Sequence, residues 1–188
     1  MFDPGTPQSG RELQQALSTL LGEGMAWQSP RPDPWFFAPQ GTAWAPSVHF
    51  RHLRKSTTPL VNALKLPRLV LALRFGRHSG PSRSFTDLRD RYLALIAAGA
   101  KAGRFTPKEE ASPANPTDRR QEILSSWTSA TVDLTNVAAE WPEDALDRYQ
   151  LPHPLLGTIT VREMLAFTVF HTAHHLRRVA ERSERMTA

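Results

Sequence analysis

Residues 167–179 read FTVFHTAHHLRRV. His171 and His175 lie four positions apart near the end of what reads as the last helix of the chain. Four residues are about one helical turn, so both imidazoles project from one face, one above the other. That spacing lets two neutral imidazoles share one divalent ion. A third histidine, His52, lies in WAPSVHFRHLRK (44–55), on an earlier helical segment. If those two helices pack together, three histidines converge and metal positions stay open for water or substrate. That is the donor count of a catalytic metal rather than a closed structural one.

Working outward, the last helix begins at a capping box, Thr160 with Glu163, and runs to about Arg185. A second box, Ser9 with Glu12, opens a helix over 10–25 that carries Leu13, Leu17, Leu20 and Leu21. A helix over 46–66 starts at Pro46, carries Val48, His52, Leu53, Leu60, Val61 and Leu64, and should kink at Pro59. Another spans 86–102, with Ser84 and Asp87 as its cap pair. A further helix covers 118–140 and stops at Trp141-Pro142. Pro-rich stretches follow the first helix and precede the 118–140 helix, and 68–83 is ambiguous. No strand alternation and no repeat is evident. The expected fold is an all-α bundle, a single domain over 1–188, with long crossover connections.

The composition removes several chemistries. A chain of 188 residues is long enough to bury its own core. It has no cysteine, which excludes disulfides, thiolate metal sites and a cysteine nucleophile. The N-terminus lacks the basic and apolar regions of a signal peptide, and the longest apolar run, LVLAL at 69–73, is too short for a bilayer. A cytoplasmic protein without membrane contact is expected. The net charge is +5, and no Asp or Glu occurs between Asp33 and Asp87. That interval holds Arg51, Arg54, Lys55, Lys65, Arg68, Arg74, Arg77 and Arg83. It reads as a solvated basic face or as a field for an anionic small molecule. The aromatics Trp35, Phe36, Phe37 and Trp44 cluster without interleaving with the cations, so nucleic acid is not the expected partner.

Of the seven histidines, His78 reads as a surface loop residue and His153 as one that orients the turn in LPHPLLG. His49 and His52, three apart, do not both aim at one spot without strain. His174 is rotated by about 100° from His175 and faces elsewhere. The residues between His171 and His175 lack the glutamate of H-E-x-x-H, so proteolysis is unsupported. Trp127, Phe167 and Phe170, at helical spacing, read as core, with the lining of a pocket as the alternative.

The stretch LPHPLLGTITVREMLAFTVFHTAHHLRRV (151–179) carries His153-Pro154, Gly157, Ile159-Thr160, Glu163, Phe167, His171, His175 and Arg178 in one spacing. That spacing resembles the C-terminal signature of the DinB-like family of small bacterial helical proteins. WAPSVHFRHL (44–53) is similar to the family's W-S-x6-H-L helix start, with Trp44 opening it, His52-Leu53 closing it, and Ala45 where the family often has Ser. Phe105 to Pro107 forms an F-x-P that also looks familiar. The resemblance implies a four-helix bundle, a divalent metal (Zn, Ni, Fe or Mn) held by His52, His171 and His175, and frequent homodimers. It also implies thiol-dependent transferases and isomerases among the members.

Three neutral imidazoles leave the ion its full charge, which lowers the pKa of a bound water or thiol. With no cysteine in the chain, a sulfur nucleophile has to come from outside, and the basic 51–83 stretch offers a hold for its carboxylates. The leading expectation is metal-dependent transfer of a low-molecular-weight thiol, of the bacillithiol type, to a small electrophile. Metal-assisted hydrolysis is the alternative enzyme reading, and a non-enzymatic, stress-related binding protein is the third. No catalytic acid or base is assigned.

Overall fold

The computed structural model describes residues 1–39, 43–101, 103–108, 110 and 113–187, with side chains to 181. Four long helices build the core: α1 (Gly10–Gln28), α3 (Pro46–Leu64), α6 (Pro116–Ala139) and α8 (Val161–Thr187). Shorter helices sit in the connections: α2 (Asp33–Phe37), α4 (Arg68–Phe75), α5 (Phe85–Ala97) and α7 (Glu143–Arg148), with a 3-10 turn at Gly103–Phe105. α1 packs on α6 and α8, and α3 packs on the same two, so α1 lies diagonal to α3 and α6 diagonal to α8, while α3 and α6 are neighbours. The α1–α3 and α6–α8 connections therefore cross an end of the bundle and are not tight turns, and the α3–α6 connection is long because it carries α4, α5 and the 3-10 turn.

Local chemistry starts these helices where the sequence places them. Ser9 and Glu12 form the reciprocal capping box of α1, and Ser84 accepts from the Asp87 backbone at the head of α5. Asn115 accepts from the Asp118 backbone ahead of Pro116 in α6. Ala45 occupies the N-cap of α3 without any side-chain hydrogen bond, the expected consequence of Ala in place of Ser. α3 runs on through Pro59 to Leu64.

Three expectations change. α5 ends at Ala97 rather than 102, because Gly99 turns the chain at φ +95 and the Ala98 and Gly99 amides cap the last carbonyls; Ala102 itself lies outside the described residues. The ambiguous interval contains α4, and the first Pro-rich loop contains α2, whose Pro34 sits in its first turn. Residues 40–42 of that loop, and 109, 111 and 112 of the later one, are also outside the described set.

The expectation of no strand fails as well. β1 (Gln150–His153) and β2 (Gly157–Thr160) form an antiparallel hairpin, with Gln150 opposite Thr160 and His153 opposite Gly157. Four residues per strand are too few to show alternation, and Pro152 inside β1 masks the signal further. The hairpin aims the chain into α8. Thr160 accepts from the Glu163 amide and Glu163 from the Thr160 amide, 3.1 and 3.0 Å, which is the anticipated box.

The core is continuous. Leu13, Leu17 and Leu20 of α1 meet Trp127 and Leu134 of α6, Phe50 and Leu53 of α3, and Leu165, Val169 and Leu176 of α8, all buried. Trp127 is the largest fully buried side chain and packs on Phe50 at 4.9 Å between centroids. Gly24 permits that packing: a Cβ there would sit 2.9 Å from Trp127 Cη2 and 3.1 Å from a Leu176 methyl. Among the described residues, no helix is long and apolar enough to cross a membrane.

Candidate metal centre

Where α3 crosses α8, the histidines meet. His52 Nε2 lies 3.0 Å from His171 Nε2, and His171 Nε2 lies 3.1 Å from His175 Nε2. One nitrogen from each ring falls within 4.8 Å of the others. His52 and His171 are buried and His175 is half-buried. The i, i+4 spacing on α8 stacks His171 and His175, and packing α8 on α3 brings in His52.

The donor set fits a divalent ion. A carbonyl oxygen only accepts, so His52 Nδ1, 3.0 Å from the Phe105 carbonyl, carries the proton and donates it. Its Nε2 is then a bare lone pair directed at the other two rings. A single proton on His171 Nε2 can serve only one of its two neighbours. A cation shared by all three relieves that conflict. Nitrogens 2.0–2.1 Å from one ion at tetrahedral or octahedral angles stand about 2.8–3.4 Å apart, close to the spacing here. Burial pushes His171 and His175 well below the ordinary imidazole pKa, and their histidine neighbours push in the same direction; burial lowers His52 too. All three are neutral at pH 7, the form that ligates.

Two further elements support the cluster. The 3-10 turn is tied to α3 by the His52–Phe105 bond and by Lys55 Nζ donating to the Thr106 carbonyl at 3.1 Å. Pro107, the end of the F-x-P, is buried beneath. His49 is the residue that sequence reasoning missed. It does not share a spot with His52; its Nδ1 meets His175 Nδ1 at 2.8 Å, on the far side of that ring. With the proton on His175 Nδ1 donated to His49, His175 Nε2 is free to ligate, the usual outer hydrogen bond of a metal-bound histidine. An i, i+3 pair on α3 meeting an i, i+4 pair on α8 was the available signal. Trp44 covers the group, 5.5 Å from His49 and 5.3 Å from His52, and stacks near-parallel on His175 at 6.1 Å.

The remaining histidines divide. His153 Nδ1 accepts the Leu155 and Leu156 amides at 3.2 and 3.1 Å, so it orients the hairpin turn as anticipated and carries its proton on Nε2. Burial lowers its pKa to about 4. His78 is half-buried, its amide bound to the Arg148 carbonyl. His174 lines a cavity of about 410 Å³ together with His52, His175, Trp44 and Tyr92.

A second cavity, of about 490 Å³, adjoins the cluster and shares His52, Tyr92 and Lys101 with the first. His52 and His171 form part of its lining, with Tyr92, Phe105, His153 and Phe167 near them. Phe167, read as core, is buried and yet also lines this space, stacked on His171 at 5.0 Å and 23°. Trp127 is core alone, whereas Phe170 packs near Tyr92 and His174. Of the cations in the basic 51–83 stretch, Arg74 alone lines the cavity among the described residues. Arg51 pairs with Glu110, Arg83 with Glu163, and Arg68 and Arg77 lie over Trp141 and Tyr149.

Two solved structures share this architecture. YfiT from Bacillus subtilis, described as a probable metal-dependent hydrolase with an unusual four-helix bundle topology, aligns at a TM-score of 0.63 and 17% identity, over 95% of this chain and 87% of that one. TT2238, a four-helix bundle protein, aligns at 0.56 and 18% identity, over 92% and 99%. At these identities the likeness concerns the fold. No curated protein matches the chain significantly. The family model of the DinB superfamily matches residues 7–179. Nearly the whole bundle, including all three converging histidines, is thus accounted for, and the chain belongs to the DinB superfamily.

Proposed function

We propose that this protein is a metal-dependent hydrolase of a small molecule, with the ion held by His52, His171 and His175. The observation that carries the reading is the convergence of three neutral imidazole nitrogens, those of His52 and His175 standing 3.0 and 3.1 Å from that of His171, with His52 and His171 at the wall of a 490 Å³ cavity. A divalent ion there supplies Lewis-acid activation of water at neutral pH. The chain's own groups hold and shield the centre. Phe105 fixes the His52 ring through its carbonyl, and His49 orients His175. Phe167 and Trp44 pack against the ligand rings and exclude water from their faces. Tyr92, its hydroxyl pKa raised by burial, stays protonated and offers a hydrogen-bond donor on the cavity wall. The neighbouring fold described as a probable metal-dependent hydrolase supports this choice.

Transfer of an external thiol is the second reading. The same three-imidazole set would activate a thiol, and the chain has no cysteine of its own. Metal-loaded protein screened against ester, amide and phosphoester panels, with and without a low-molecular-weight thiol, separates the two. Turnover that needs metal but no thiol supports hydrolysis. Turnover only with thiol supports transfer, and no turnover in metal-replete protein leaves a binding protein.

A further inference from the structure

We infer that the cavity beside the three histidines binds an amphiphilic anion: an apolar body the size of an octyl chain or a naphthyl ring, ending in one carboxylate or phosphate. The inference rests on the reading of that cavity as the substrate site and names its ligand class.

The walls are apolar in effect as well as in composition. Leu60, Ala63, Leu151, Leu155, Met164 and Phe167 are among the apolar lining residues. Of the three hydroxyls among the lining residues, two are spent locally: Ser56 Oγ donates to the Leu53 carbonyl at 2.9 Å, and Thr168 Oγ1 to the Met164 carbonyl at 2.8 Å. The Tyr92 hydroxyl and the Asn62 amide are the neutral polar groups that remain beside the histidines. His153 turns one ring nitrogen to backbone amides. Such a surface gains by covering apolar groups and offers few hydrogen bonds to a polar body.

The charges at the rim have one sign. Arg74, Lys101 and Arg104, all exposed, line the cavity, and no Asp or Glu among the described residues does. Arg74 and Arg104 lie over the rings of Phe75 and Phe105, 5.3 and 5.1 Å from their centroids, and both rings also line the cavity. Elsewhere Arg83, Arg119, Arg120 and Arg162 are engaged with carboxylates. Among the described residues, none of the three rim cations has a carboxylate within ion-pair distance. Cations set against an apolar, low-dielectric wall attract an anion more strongly than solvated ones do. An anionic group held at the rim leaves the apolar body to fill the cavity towards His52 and His171.

The test is calorimetric titration of the zinc-loaded protein with octanoate, octyl phosphate, octanol and octyltrimethylammonium. The two anions are expected to bind at least tenfold tighter than the alcohol, and the ammonium not at all; the tighter anion names the head group. In R74E/R104E both anions should weaken at least tenfold, with zinc stoichiometry and circular dichroism unchanged. In A63W, which fills the cavity, every ligand should be lost. Anions that bind no tighter than the ammonium, or that are indifferent to R74E/R104E, overturn the inference. Repeating the titration on H171A separates the two ideas. Anion binding that persists there within about threefold shows recognition by the rim rather than by the metal. Protein that takes up zinc normally but ignores both anions refutes the ligand class while leaving the metal centre intact. Protein that binds anions but no zinc does the reverse.

Discussion

His52 and Phe105 are joined by one hydrogen bond, in which Nδ1–H donates to the backbone carbonyl at 3.0 Å and leaves Nε2 bare towards His171. The 3-10 turn thereby sets the tautomer of a residue 53 positions away. This makes the roles of the four clustered histidines unequal. His171→Ala should abolish near-stoichiometric zinc or nickel binding, because two donors do not replace three. His49→Ala removes only the outer partner of His175 and should weaken binding by about 10–100-fold. Elemental analysis with calorimetry checks both, and an equal loss in His49→Ala would make His49 a ligand.

His153 should make stability depend on pH. Its folded pKa of about 4 lies below the ordinary value of 6.5, so the unfolded state binds the extra proton first. Stability is therefore complete above pH 6.5, falls as pH drops from 6.5 to 4, and levels off below that. The loss is about 3 kcal/mol at most. Burial of His171 and His175 acts in the same direction, so the comparison has to be with His153→Asn, whose amide oxygen can still accept the Leu155 and Leu156 amides. Urea midpoints at pH 7 and pH 4.5 should differ less in the variant than in the parent. Equal slopes would contradict the assignment.

Arg83 binds Glu163 through Nε and Nη2 at 2.8 and 3.0 Å, and its backbone amide also reaches the same carboxylate. Glu163 is only 4% exposed. Burial by itself would raise its pKa, but the Arg83 and Thr160 hydrogen bonds outweigh it and hold the carboxyl below the usual range. Arg83→Ala leaves that charge buried without its partner and should cost about 3 kcal/mol. Adding Glu163→Gln should recover a good part of this, as measured by denaturant unfolding. An additive double variant would mean that the pair is not coupled.

Gly24 faces Trp127 and Leu176 across the α1–α6 and α1–α8 contacts. Alanine there gains helix propensity of about 1 kcal/mol, but its methyl overlaps a fully buried indole. Overpacking of about 1–3 kcal/mol should win, and Gly24→Ala should lower Tm by a few degrees. A rise in Tm would show that the indole moves aside without strain.

Much of this molecule follows from short-range pattern. The caps at Ser9, Ser84 and Thr160, the leucine face of α1 and the stacked pair His171 and His175 all depend on spacing within one helix, which sequence states directly. The place of His52 came from a resemblance rather than from periodicity, since nothing local says which helix α8 will meet. The hairpin at 150–160, the short helices α2 and α7, and the end of α5 escaped because they depend on a few residues and on one glycine with positive φ. The long-range relations belong to the tertiary structure alone. The diagonal order of the helices brings α3 against α8. The crossover delivers the Phe105 carbonyl to His52, the approach of α3 seats His49 behind His175, and Arg74 from α4 gathers at one rim with Lys101 and Arg104 from the segment after α5. Spacing along a helix is set by its 1.5 Å rise per residue, whereas which faces meet is decided by burial of the whole apolar surface at once.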